Sequence, residues 1–79
     1  MYDKIIKKAL DVIGFVEQYF TFCAIVYHGT RGMIMLDSGG LTIFVDDSLL
    51  DTKELEELKQ YIKETGVAGV RIALNKAPR

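Results

Sequence analysis

Few side chains in this sequence are able to do chemistry, and most of them are acids placed where strands would end. Asp37 opens Asp37-Ser38-Gly39-Gly40, and Asp46-Asp47 follows Leu41-Thr42-Ile43-Phe44-Val45. Two or more carboxylates meeting at one end of a sheet hold a divalent ion for phosphodiester hydrolysis, usually beside a lysine that organises the water or the developing charge. Asp46 and Asp47 point to opposite faces of a regular strand, so they converge only if the strand has already ended. The plainer reading makes Asp37 a solvated turn acid, and Asp46 and Asp47 acids near a helix start, where the dipole favours negative charge. The single histidine, His28, precedes Gly29-Thr30-Arg31-Gly32, a glycine-flanked turn offering amides and a cation. His28 could serve there as a general base, with Arg31 holding a phosphate. A turn histidine is more often an ordinary surface group, and the turn lacks the length and lysine of a P-loop.

The remaining candidates read as structural. Cys23 lies within an apolar run with no cation near it in sequence, which predicts a buried, inert thiol. Met33 and Met35 alternate with Ile34 and Leu36, so they fill a core or form an adaptable contact surface. Lys4, Lys7 and Lys8 read as the wet side of a helix rather than as phosphate contacts. One cysteine excludes an internal disulfide and needs other strong ligands to hold zinc, and one histidine removes every zinc, haem or copper constellation that needs two. No metal and no cofactor is therefore expected.

Composition narrows the class. The chain has 79 residues, 49% hydrophobic and 27% charged, with ten Lys and Arg against eleven Asp and Glu. This is one small α/β domain over 1–79, with 75–79 as a frayed tail; a strongly basic nucleic-acid binder is disfavoured. No apolar stretch reaches the length of a membrane span, and the N-terminus lacks the ordered regions of a signal peptide. With the unpaired Cys23, this points to the cytoplasm and to no membrane partner. A chain this short buries only about 60% of the surface its unfolded form exposes, and without disulfide or metal the remaining reinforcement is a partner.

The elements that must position these residues follow from periodicity. Ile5, Ile6, Ala9, Leu10, Val12, Ile13 and Val16 give helical spacing from Asp3 to about Val16, with Gly14 weakening its end. Tyr19 to His28 is almost continuously apolar and predicts a strand covered on both faces. Met33–Leu36 and Leu41–Val45, joined by Asp37-Ser38-Gly39-Gly40, complete an antiparallel meander. Asp51 caps a second helix, with Glu54 at the reciprocal position, Leu55, Leu58 and Ile62 forming its apolar stripe, and Gly66 ending it. Val67 to Leu74 gives a last strand, with Val70, Ile72 and Leu74 facing one way and the whole strand parallel to its predecessor through a crossover. The expected order is helix, three strands, helix, strand, in a mixed four-stranded sheet with helices packed on it.

That order, with Ile13-Gly14-Phe15, the hairpin Met33–Val45 and the passage from Glu54 to Val70-Arg71-Ile72-Ala73-Leu74, resembles the core of restriction-endonuclease-like proteins, including archaeal Holliday-junction resolvases. The resemblance implies a metal-dependent nuclease, but its signature is missing. The family's acid near the start of the second strand falls at Arg31 or Gly32, and its acid-x-lysine element is replaced by Phe44-Val45-Asp46-Asp47. The resemblance therefore implies a degenerate member or structural subunit. The helix, three strands and second helix also resemble the double-stranded-RNA-binding fold, which includes small messenger-RNA-cleaving toxins with a histidine near the position of His28; a last strand is not part of that fold. The expected function is association with a second copy or another protein. The alternative is nucleic-acid binding or cleavage through Asp37 with Asp46 or Asp47, or through His28 and Arg31.

Overall fold

A computed structural model describes residues 2–46, 48 and 51–74. The chain is α+β: helix α1 (Asp3–Ile13), strands β1 (Phe15–Phe20), β2 (Ala24–Gly29), β3 (Gly32–Asp37) and β4 (Gly40–Val45), helix α2 (Thr52–Thr65), and strand β5 (Val70–Leu74). The strands form one five-stranded sheet in sequence order. β1 to β4 run antiparallel to their neighbours, and β5 lies parallel to β4, as the crossover through α2 predicts.

The fifth strand corrects the expected four. α1 stops at Ile13 because Gly14 takes a left-handed conformation (φ 66°) and its amide reaches back to the Asp11 carbonyl at 3.3 Å. Val16 fits the helical spacing but belongs to β1. The expected single strand from Tyr19 to His28 is two strands folded at Thr21-Phe22-Cys23-Ala24, where the Thr21 amide donates to the Ala24 carbonyl at 2.8 Å. Among the described residues no position other than glycine has a positive φ. This turn therefore needs no Gly, Asn or Asp, and left no turn signature in the sequence.

Both helices bury their stripes on one face of the sheet. Ile5, Ile6, Ala9, Val12 and Ile13 of α1 and Leu55 and Leu58 of α2 join Ile34, Leu41, Ile43 and Val45 in one core. The register places Ile34 opposite Ile43 and Leu36 opposite Leu41, so alternation sends these side chains to the helices. Val70, Ile72 and Leu74 share that face, as expected, although β5 begins at Val70 rather than Val67. The other face carries Tyr19, Val26, His28, Met33, Met35, Thr42, Phe44 and Arg71 and meets no helix. Met33 and Met35 are thus half-exposed members of the helix-free face rather than part of the main core.

α2 follows its sequence signals at both ends. The Asp51 carboxylate accepts from the Lys53 amide at 3.2 Å, and the Gly66 amide closes the last turn on the Lys63 carbonyl. Glu54 departs from the expected capping box, its carboxylate lying 3.6 Å from the Arg31 guanidinium. The frayed tail expected at 75–79 lies outside the described residues.

Candidate functional site

The groove nearest the expected chemistry lies at the sheet end where β2 turns into β3. It has a volume of about 310 Å³ and is lined by His28, Arg31 and Asp46, with Met33, Phe44 and the intervening backbone. The structure thus brings three of the five candidate residues to one end of the sheet. It does not aim them at one point. His28 sits opposite Met33 in the register, on the helix-free face. The Arg31 guanidinium turns to the helix side, donating to the Asp11 carbonyl of α1 at 2.8 Å and pairing with Glu54 of α2.

The amides of this turn are also engaged. Thr30 donates to the Gly14 carbonyl at 3.0 Å and Arg31 to the Ile13 carbonyl at 2.8 Å. The last carbonyls of a helix have no partner within it, and here the β2–β3 turn supplies amides to those of Ile13 and Gly14. The approach is so close that a Cβ at Gly29 would run into the Ile13 carbonyl oxygen. The features that suggested an anion cradle, paired glycines, amides and a cation, form a clasp on the end of α1. The sequence did not reveal this, because the acceptor carbonyls lie about seventeen residues upstream and belong to backbone.

The carboxylates do not assemble. Asp37 pairs with Gly40 at one end of the β3–β4 hairpin, whereas Asp46 follows Val45 at the other end. About six residues at roughly 3.3 Å each, some 20 Å, separate those ends. Asp37 accepts from the Gly39 amide at 2.8 Å, the turn role of the plainer reading. Asp46 accepts from the Ser48 amide at 3.0 Å and the Ser48 hydroxyl at 2.6 Å. Asp47 lies outside the described residues. Among the described residues no group of three or more His, Cys, Asp or Glu is placed to hold a metal ion.

Lys4, Lys7 and Lys8 line a second, shallower groove together with Asp11 and Tyr61, and the Lys8 ammonium stands 5.8 Å from the Tyr61 ring centre. An acid and an aromatic ring occupy part of what would otherwise be a basic helix face.

A different surface was missed. Of the large hydrophobic side chains that stay exposed among the described residues, five fall between positions 15 and 22: Phe15 (44%), Val16 (58%), Tyr19 (42%), Phe20 (72%) and Phe22 (105%). Every residue of β1 is exposed. Cys23, expected to be buried, is exposed beside Phe22 in the turn. The expected strand covered on both faces is therefore half edge strand, and in β2 only Val26 and Gly29 are buried. Phe15 keeps one aromatic neighbour, Tyr27, with ring centres 6.2 Å apart. The signal was present in the aromatic run of 15–22; what was lacking was a turn that set it at the sheet's edge.

No helix among the described residues is long and apolar enough to cross a membrane. Comparison with protein-family models, with curated proteins and with solved structures gives no match to this chain.

Proposed function

We propose that this chain is a non-catalytic α+β module that works by protein association, and that its partner is a second copy of itself. The observation that carries the reading is the exposed row Phe15, Val16, Tyr19, Phe20 and Phe22 on an edge strand and its turn. Tyr19 and Phe20 alternate to opposite faces, so this is apolar surface gathered on both sides of one unpaired edge, and exposed apolar surface so concentrated marks a contact site. Native edge strands are ordinarily blunted by lysine or proline, and β1 contains neither, only the single charge of Glu17 and a register shift near its start.

Sedimentation velocity tests this across the micromolar range. The parent chain is expected to shift from monomer to dimer with concentration. The Phe20→Ser/Phe22→Ser variant should keep its far-UV circular dichroism and stay monomeric. A parent chain that remains monomeric throughout would overturn the reading.

The meeting of His28, Arg31 and Asp46 at one groove favours a second reading, a nucleic-acid-binding or nucleic-acid-cleaving protein of the nuclease-like or double-stranded-RNA-binding-like class. Against it stand the engaged guanidinium and turn amides, and the separation of Asp37 from Asp46. Incubation with Mg²⁺ or Mn²⁺ and duplex, branched or single-stranded nucleic acid is expected to give no cleavage. Metal-dependent cutting that is lost in Asp46→Ala would put the second reading first.

A further inference from the structure

We infer that two copies pair edge to edge through β1, antiparallel about a two-fold axis centred on Tyr19, to make one continuous ten-stranded sheet. This inference rests on the association reading above and specifies its geometry.

The backbone selects the register. Thr21 bonds to Ala24 across the turn, and hydrogen-bonded positions alternate along an antiparallel pair. Tyr19 and Glu17 therefore direct their amides and carbonyls to β2, opposite Val26 and His28. Gln18 and Phe20 direct theirs outward, to the free edge. A two-fold pairing that uses both outward residues in the regular part of β1 sets Gln18 against Phe20 of the partner subunit, and the reverse. Tyr19 then falls on the axis, facing Tyr19 of the partner subunit. Centring on Gln18 instead would bring Val16 into the ladder, where the β1–β2 register shifts between Phe15 and Glu17. Centring on Phe20 would bring Phe22 into it, and Phe22 belongs to the turn.

The side chains agree with the axis through Tyr19. The ladder stops short of Val16 and Phe22, so two of the most exposed apolar side chains flank its ends. Glu17 comes opposite Thr21 of the partner subunit, so no like charges face each other across the strand pair. The exposed area is of the right order. At about 200 Å² for an aromatic side chain, the exposed fractions of Phe15, Tyr19, Phe20 and Phe22 amount to about 500 Å² per protomer. Two protomers expose about 1,000 Å² on these rings, and the paired backbone edges add to it, against roughly 1,200 Å² at the low end of specific interfaces.

Charge separates a second copy from other occupants. No Lys or Arg occurs between Lys8 and Arg31. Lys7 lines a groove with Phe15 and Val16 at the start of β1, but the tip from Phe20 to Cys23 lacks the cations that hold an aromatic tip to anionic lipid or an edge to nucleic acid.

Cys23 is the single cysteine and is exposed, so a nitroxide can be attached there without further substitution. In the inferred dimer Cys23, opposite Phe22 in the β1–β2 register, lies three strand positions from the axis and about one and a half strand spacings to its side, which sets the two Cys23 positions about 25 Å apart at roughly 3.4 Å per residue and 4.8 Å per strand. Double electron–electron resonance on labelled protein, at a concentration where sedimentation shows dimer, is expected to give a distance distribution centred near ~30 Å. As a second arm, Gln18→Pro removes an outward amide while leaving the β2 ladder intact, and an edge strand tolerates it. That variant should keep its circular dichroism and lose the dimer. A dimer with a nitroxide distance below ~20 Å or above ~40 Å, or a folded Gln18→Pro variant that dimerises like the parent, overturns edge pairing while association stands. A monomer at all concentrations overturns both.

Discussion

β1 and β4 have the same length and nearly the same apolar character, Phe15-Val16-Glu17-Gln18-Tyr19-Phe20 against Gly40-Leu41-Thr42-Ile43-Phe44-Val45. One is exposed at every position, whereas Leu41, Ile43 and Val45 of the other are fully buried. β4 lies between β3 and β5, beneath the core that α1 and α2 share, and β1 lies at the sheet edge. Hydrophobic content therefore says that surface must be covered; the topology decides whether the chain covers it or a partner does.

Truncating side chains in each region separates the two by stability. Leu58 is fully buried where α2 meets the core, so Leu58→Ala should cost about 2–5 kcal/mol. That is a large share of the stability of so small a domain, and the melting temperature should fall by about 8–40 °C. Phe20→Ser/Phe22→Ser, melted where the parent is monomeric, should change stability by no more than about 0.5 kcal/mol, since these rings leave little contact behind. If the hairpin variant melted far below the parent, the rings would be supporting the protomer and the contrast would fail.

Much of the closed region was legible in the sequence. The stripe Leu55, Leu58 and Ile62, the cap at Asp51 and the stop at Gly66 specify α2 through local chemistry. The alternation of Val70, Ile72 and Leu74 gives the helix-side face of β5 in the same way, although Leu74 at its end stays exposed. The hairpin was illegible for two reasons. Val16 continues the spacing of Val12 past the glycine that ends α1, and Phe22-Cys23 turns without a residue that advertises a turn. The clasp on α1 was illegible for a third reason. Arg31 and its neighbouring amides look like an anion site until the Asp11, Ile13 and Gly14 carbonyls are placed against them. Sequence shows donors, and only the fold shows which acceptors have already taken them.

If the outward edge of β1 is the working surface, amide hydrogen exchange followed residue by residue will show it as concentration rises. The amides of Gln18 and Phe20 point away from β2, while those of Glu17 and Tyr19 are held by it, so one strand contains both probe and control. Gln18 and Phe20 are expected to exchange freely in the monomer and to become protected in step with dimer formation, while Glu17 and Tyr19 change far less. Free exchange at Gln18 and Phe20 in a solution shown to be dimeric would contradict it.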